Sequence, residues 1–135
     1  FQQVQTTSKL QLFKSYHPDY RDGEQKRDFL YVKDAVEMTI FLAANPAAAG
    51  IFNLGFGRAR TWLDVANAVF SALNQPPAIE FIDMPEAIRP NYQYFTEATI
   101  AKLLNLGFKG PRYPLEEGIR DYVQNYLIPG LPLEP

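Results

Sequence analysis

The chain has 135 residues, 47% hydrophobic and 14% aromatic, with a formal net charge of −2 and no basic run. That is enough chain for one domain burying roughly two thirds of its unfolded surface, and its charge argues against nucleic acid or an anionic membrane face as partner. The absence of cysteine excludes disulfides and thiolate metal sites, the single His17 excludes a histidine metal cluster, and no apolar run approaches the roughly 20 residues that span a bilayer.

Taken in order, residues 1–8 are polar and Gln-rich and read as the last turns of a helix. Opening at Phe1 rather than Met, in mid-pattern and with no signal-peptide pattern, the sequence is expected to be part of a longer product. Leu10-Gln11-Leu12-Phe13 alternates as a short strand, and 16–25, with Pro18, Asp19, Asp22 and Gly23, is a polar loop. Residues 27–32 read as a buried strand. Asp34 is then expected to cap a helix, with Glu37 three residues on as in an acidic capping box, and Asn45-Pro46 closes it. That helix carries apolar residues on nearly every side and is expected to be buried. Residues 51–54 read as another buried strand and 55–60 as a turn.

Thr61 is expected to cap the next helix with Asp64 at its third position. Trp62, Val65, Ala66, Val69, Phe70 and Leu73 form one helical face. Pro76-Pro77 ends it, and Ile79-Glu80-Phe81-Ile82 is a further strand. An aromatic loop over 89–95 precedes a third helix, capped by Thr96 and stopped at Gly107. Pro114 opens a fourth with Leu115, Ile119, Tyr122, Val123, Tyr126 and Leu127 on its apolar face. The Pro-Gly-rich residues 128–135 are expected to form an extended tail.

Several residues carry both a chemical and a bland reading. Gly55-Phe56-Gly57 imitates the start of a dinucleotide fingerprint, but Arg60 stands where the third glycine belongs, so a tight turn is the better reading. Asp28 reads as structural. Glu116 and Glu117 sit in a first helical turn, where they complement the macrodipole rather than form a paired catalytic site. His17 reads as a solvated loop residue. Arg27, a planar and permanently charged group at a strand start, suits a bidentate grip on phosphate, against the alternative of an exposed edge charge. For Tyr92, in the loop with Tyr94 and Phe95, ligand contact and core filling both remain open.

Four ordered segments carry a resemblance. They are Leu12-Phe13-Lys14-Ser15-Tyr16-His17-Pro18, then 22–29 (DGEQKRDF), then Asn53-Leu54-Gly55 with Gly57-Arg58-Ala59-Arg60, and Tyr92-Gln93-Tyr94-Phe95-Thr96. Over nearly the whole chain to about Leu127 they resemble the ADP-L-glycero-D-manno-heptose 6-epimerase family, a branch of the nucleotide-sugar epimerases of the extended short-chain dehydrogenase type. The resemblance implies an α/β fold, with edge strands and helices of a Rossmann sheet and a small α/β substrate-binding domain over 1–127. It implies an isomerase of lipopolysaccharide biosynthesis, cytoplasmic and homo-oligomeric, that inverts carbon 6 of ADP-heptose by transient oxidation with NADP. Phe13, Lys14, Ser15, Tyr16, Arg27 and Tyr92 match the family's substrate-binding positions.

No tight Gly-rich βα turn and no Tyr-x-x-x-Lys pair occurs in the sequence. The NADP-binding half and the catalytic tyrosine and lysine are therefore expected upstream of Phe1, and the chain by itself is expected to be inactive. Two positions depart from the family pattern: Phe56 replaces a small hydroxyl residue, and Asn91 stands where a basic residue is usual, with Arg89 close by to compensate. The alternatives are another nucleotide-sugar epimerase or dehydratase, or a non-catalytic sugar-nucleotide or protein-binding module.

Overall fold

A capped helix packed on a small parallel sheet organises the chain. The computed structural model describes residues 1–130, with the elements α1 (Gln2–Thr7), β1 (Leu10–Phe13), β2 (Lys26–Arg27), α2 (Val32–Ala44), β3 (Arg60–Thr61), α3 (Trp62–Ala72), β4 (Ile79–Ile82), α4 (Ala101–Asn105) and α5 (Leu115–Tyr122). A 3₁₀ turn at Arg89–Asn91 precedes α4, and a π-helical turn at Val123–Leu127 continues α5. β1 pairs in parallel with β4, Leu10 opposite Ile79 through Phe13 opposite Ile82, and β2 pairs antiparallel with β3. The fold is mixed α/β, as expected.

α3 forms where the sequence places it. The Thr61 side chain accepts from the Asp64 amide, and the Asp64 carboxylate accepts from the Thr61 amide, so two otherwise orphaned donors at the helix start are satisfied reciprocally. The helix lies between the sheet and α5 and buries Ala66, Ala68, Phe70 and Ala72. Its small alanines let α5 approach closely, while Phe70 supplies the bulk. Val4, Leu12, Met38, Met84, Leu103, Leu115 and Val123 are the other buried apolar residues.

Several expectations change. The strand over 27–32 shrinks to Lys26–Arg27, because β3 offers only two partner residues and the chain then turns into α2 at Val32. Asp34 is not the cap of α2. Tyr31 is, without a side-chain bond, and Asp34 sits buried in the first turn, accepting from the amides of Arg112 at 2.8 Å and Tyr113 at 3.0 Å. Glu37 is likewise spent on Arg112. The stretch 51–54 has no strand partner among the described residues, and Ile51 is 88% exposed. Thr96 does not cap α4, whose N-cap is Ile100. Residues 96–98 instead run alongside β2, the Thr96 amide donating to Lys26 O and the Ala98 amide to the Asp28 carboxylate.

α2 is not buried all round. Met38 is covered, but Val36 is 50% and Ile40 62% exposed. The expected tail over 128–135 lies outside the described residues from 131 onward, and Gly130 closes a turn onto Leu127 O. Among the described residues no helix is long and apolar enough to cross a membrane.

Ion pairs tie the elements together. Arg60 bridges Asp64 and Glu116, so Glu116 joins α3 to α5 as well as sitting in a first turn. Asp121 accepts from Lys33 Nζ at 2.7 Å and from the Tyr31 hydroxyl at 2.5 Å. The bond from Lys33, then that from Tyr31, holds the Asp121 carboxyl below the usual carboxylate range, and the Arg60 bond does the same for Glu116. A carboxylate whose pKa is lower in the folded than in the unfolded chain contributes stability above the unfolded value, and that contribution disappears as pH falls through the folded value. The melting temperature should therefore hold from neutral pH to about pH 4 and drop below it. A pH series of thermal melts tests this, with Asp121→Asn giving a shallower acid limb.

Candidate functional site

β1 and β4 run in parallel, so the residues leaving both strands emerge at the same end, where open α/β sheets form their ligand crevices. The Lys14 amide donates to Ile82 O at 2.9 Å, extending the pairing and setting Lys14, Ser15 and Tyr16 against Asp83. Asp83 accepts from Lys14 Nζ at 3.1 Å and from the Tyr16 hydroxyl at 2.9 Å. The Lys14 bond, then the Tyr16 bond, lowers the Asp83 carboxyl below its ordinary value, and the same contacts raise Lys14 and Tyr16. The Arg89 guanidinium lies 4.1 Å from the centre of the Tyr16 ring, anchored by a 2.7 Å bond from its Nε to Met84 O. Ser15 is held through its amide by the Asp22 carboxylate at 2.7 Å.

The aromatic loop is brought to the same place by β2. The Lys26 amide donates to Tyr94 O at 2.8 Å, so the chain around residue 94 follows β2 opposite its β3 neighbour. Tyr94 then closes the site: its hydroxyl accepts from the Tyr16 amide at 3.1 Å, and its ring packs on His17, Tyr20 and Tyr92 at centroid distances of 5.0, 5.5 and 5.3 Å. His17 is exposed, as expected, while its ring also packs on Tyr20 and Tyr94 and its Nδ1 accepts from the Asp19 amide at 3.3 Å. Arg27 is half-buried, its guanidinium 5.3 Å from the Tyr92 ring centre and one of its amino groups donating to Lys26 O at 2.8 Å. Among the described residues no carboxylate lies within ion-pair distance of it.

Phe13, Lys14, Ser15 and Tyr16 therefore lie at one strand end, and Tyr94 links them to Tyr92 and Arg27. Three cations, Lys14, Arg27 and Arg89, gather there with a tyrosine cluster and the Asp83 carboxylate that holds Lys14, an arrangement suited to an anionic ligand with an aromatic or sugar portion. Sequence reasoning missed Asp83 and the anchoring role of Tyr94. Asp83 carries a usable signal, a polar residue directly after a strand, but only the β1–β4 pairing shows which residues it faces.

The turn at Gly55-Phe56-Gly57 does not form a phosphate cradle. The Asp28 carboxylate accepts from the Phe56 amide at 2.7 Å, the Gly57 amide at 2.9 Å and the Ala98 amide at 2.9 Å. Those donors are taken, and a fixed anion sits where a pyrophosphate would have to approach. A Cβ at Gly55 would lie 2.3 Å from that of Ala98, so glycine is needed there for close approach of two chain segments. The residues of this turn do not fit a nicotinamide dinucleotide, and Asp28 is structural, as expected.

The fold is that of the extended short-chain dehydrogenase-type epimerases and dehydratases, and the sequence profile of the NAD dependent epimerase/dehydratase family matches residues 3–55. The chain belongs to that family. It is 50% identical over 127 residues to the ADP-L-glycero-D-manno-heptose-6-epimerase of Nitratidesulfovibrio vulgaris strain Hildenborough, covering 94% of this chain and 39% of the relative. The crystal structure of the Helicobacter pylori ADP-L-glycero-D-manno-heptose-6-epimerase superposes with a TM-score of 0.70 at 26% identity, over 91% of this chain and 34% of that one. A Thermus thermophilus UDP-glucose 4-epimerase in complex with NAD gives 0.66 at 28% identity, over 83% and 33%. The chain spans about two fifths of the length of the curated relatives it matches.

Proposed function

We propose that the chain is the substrate-binding portion, residues 1–127, of an epimerase that acts on ADP-heptose at carbon 6. NADP and the catalytic tyrosine and lysine are held by a part of the protein outside this sequence. Relatives named for the ADP-heptose reaction support the substrate, and the family supports a nicotinamide dinucleotide as cofactor. The observation that carries the reading is the convergence of Phe13, Lys14, Ser15 and Tyr16 with Arg27 and Tyr92 at one end of the sheet, where Arg27 has an aromatic neighbour but no described carboxylate partner. The donors of the Gly55 turn, already given to Asp28, favour placing the cofactor elsewhere. In the same reading the enzyme is cytoplasmic, homo-oligomeric and serves lipopolysaccharide assembly.

Calorimetry on the full-length protein that carries this chain tests the reading. ADP-heptose or ADP should bind when NADP is saturating, and epimerisation should follow with ADP-heptose; no ADP binding under those conditions would defeat it. The isolated 135-residue chain is expected to show neither epimerase activity nor sub-micromolar NADP binding. The exposed Val36, Ile40 and Ile51 should also make it self-associate, which sedimentation velocity would detect. A monomeric, highly soluble chain would contradict the assignment of that face to the remainder of the protein.

A further inference from the structure

The register of the small sheet brings one more residue into the crevice. Phe13 lies opposite Ile82 and the Lys14 amide donates to Ile82 O at 2.9 Å, so the parallel ladder runs one step past both strands and sets the Lys14 and Asp83 side chains together. Asp83 Oδ1 accepts from the Lys14 ammonium at 3.1 Å and from the Tyr16 hydroxyl at 2.9 Å. One carboxylate oxygen thus ties two residues of the segment 13–16. Asp83 is itself firmly based: the next residue, Met84, is fully buried, and its carbonyl accepts from Arg89 Nε at 2.7 Å.

Stability does not explain this grip. The side chains of Lys14 and Asp83 are 44% and 67% exposed, and Tyr16 is 47% exposed. Contacts so open to water add little to folding, because solvent screens the attraction and long side chains lose freedom in making them. At a binding site that lost freedom has a use, since a side chain already held in place does not have to be ordered by the ligand. Tyr16 is held at three points: its hydroxyl by Asp83, its ring by the Arg89 guanidinium at 4.1 Å and its amide by the Tyr94 hydroxyl at 3.1 Å. A carboxylate in a crevice that takes a diphosphate also repels its ligand. Its presence there calls for a role that outweighs the repulsion, and the two donors it holds supply one.

We propose that Asp83 is a positioning residue for the ADP-sugar: it fixes Lys14 and Tyr16 in the places they occupy when the ligand is bound, and acts through them rather than by touching the ligand. The inference rests on the ADP-sugar reading and adds to it a residue that lies outside the motif segments. Charge gives the role a sign. If Asp83 only repelled the ligand, Asp83→Ala would tighten ADP-heptose; if it positions Lys14 and Tyr16, the same change weakens it.

Steady-state kinetics on ADP-heptose in the full-length protein, with NADP saturating and a thermal melt alongside, tests this. Asp83→Ala should raise the KM for ADP-heptose about three- to tenfold, the cost of ordering one flexible side chain, with the change falling on KM rather than kcat and the melting temperature unmoved. Asp83→Asn keeps the size and one acceptor oxygen, and should recover part of the loss. In a Lys14→Ala/Tyr16→Phe background, Asp83→Ala should have no further effect, since the groups it acts through are gone. An unchanged or lowered KM in Asp83→Ala would overturn the proposal. So would an effect that persists in full in that background, which would mark direct contact with the ligand, or a lowered melting temperature with parallel damage to kcat and KM. Failure of the parent to bind ADP in a calorimetric titration would strike at the ADP-sugar reading, and the proposal would go with it.

Discussion

Arg27→Lys in the full-length protein is expected to lower kcat/KM for an ADP-sugar by about tenfold to a hundredfold, or about 1–3 kcal/mol, with the melting temperature and NADP occupancy unchanged. The physical reason is geometric. A guanidinium gives two parallel charge-assisted bonds to a diphosphate, whereas an ammonium keeps the charge and loses the fork. The structure supplies what such a grip needs, since Arg27 is half-buried beside Tyr92 and spends one donor on Lys26 O, leaving the rest of its fork unclaimed by any described carboxylate. Were Arg27 only an edge charge, the same change would shift stability by under about 0.5 kcal/mol and leave kinetics alone. Steady-state kinetics beside a thermal melt separates the two, and an unaltered kcat/KM would remove Arg27 from the site.

The largest stability effect is expected at Asp28. Its carboxylate accepts from three backbone amides, those of Phe56, Gly57 and Ala98, and so joins three chain segments that share little strand pairing. Asp28→Ala leaves the part-buried Phe56 and Ala98 amides unmatched, while water can take the acceptor's place at the exposed Gly57 amide. With each unmatched donor shielded from water costing about 1–3 kcal/mol, and neighbouring effects not adding in full, a loss of about 2–4 kcal/mol is expected. That is a large share of the roughly 5–15 kcal/mol that holds a domain together. Asp28→Asn keeps one carbonyl acceptor and should lose about half as much. Urea unfolding of the full-length protein measures both, and a loss under about 1 kcal/mol for Asp28→Ala would show that the turn is held by other contacts.

The sequence by itself determined the elements whose signals are local. Thr61 with Asp64 states a helix start through reciprocal bonds three residues apart, and the alternation in Leu10–Phe13 and Ile79–Ile82 states two strands. The four motif segments also marked the family, which the comparisons show. The tertiary structure decided what depends on partners far along the chain. Asp34 looks like a cap because an acid before an apolar run usually is one, but a carboxylate goes where the most orphaned donors are, and here those are the amides of Arg112 and Tyr113. Residues 51–54 have strand composition, yet a strand exists only with a neighbour to pair with, and none is present among the described residues. The candidate site divides the same way. Arg27 and Tyr92 were legible as residue types in recognisable motifs, while their meeting follows from the run of residues 94–96 along β2, and the grip of Asp83 on Lys14 and Tyr16 from the parallel pairing of β1 with β4, which no local pattern encodes.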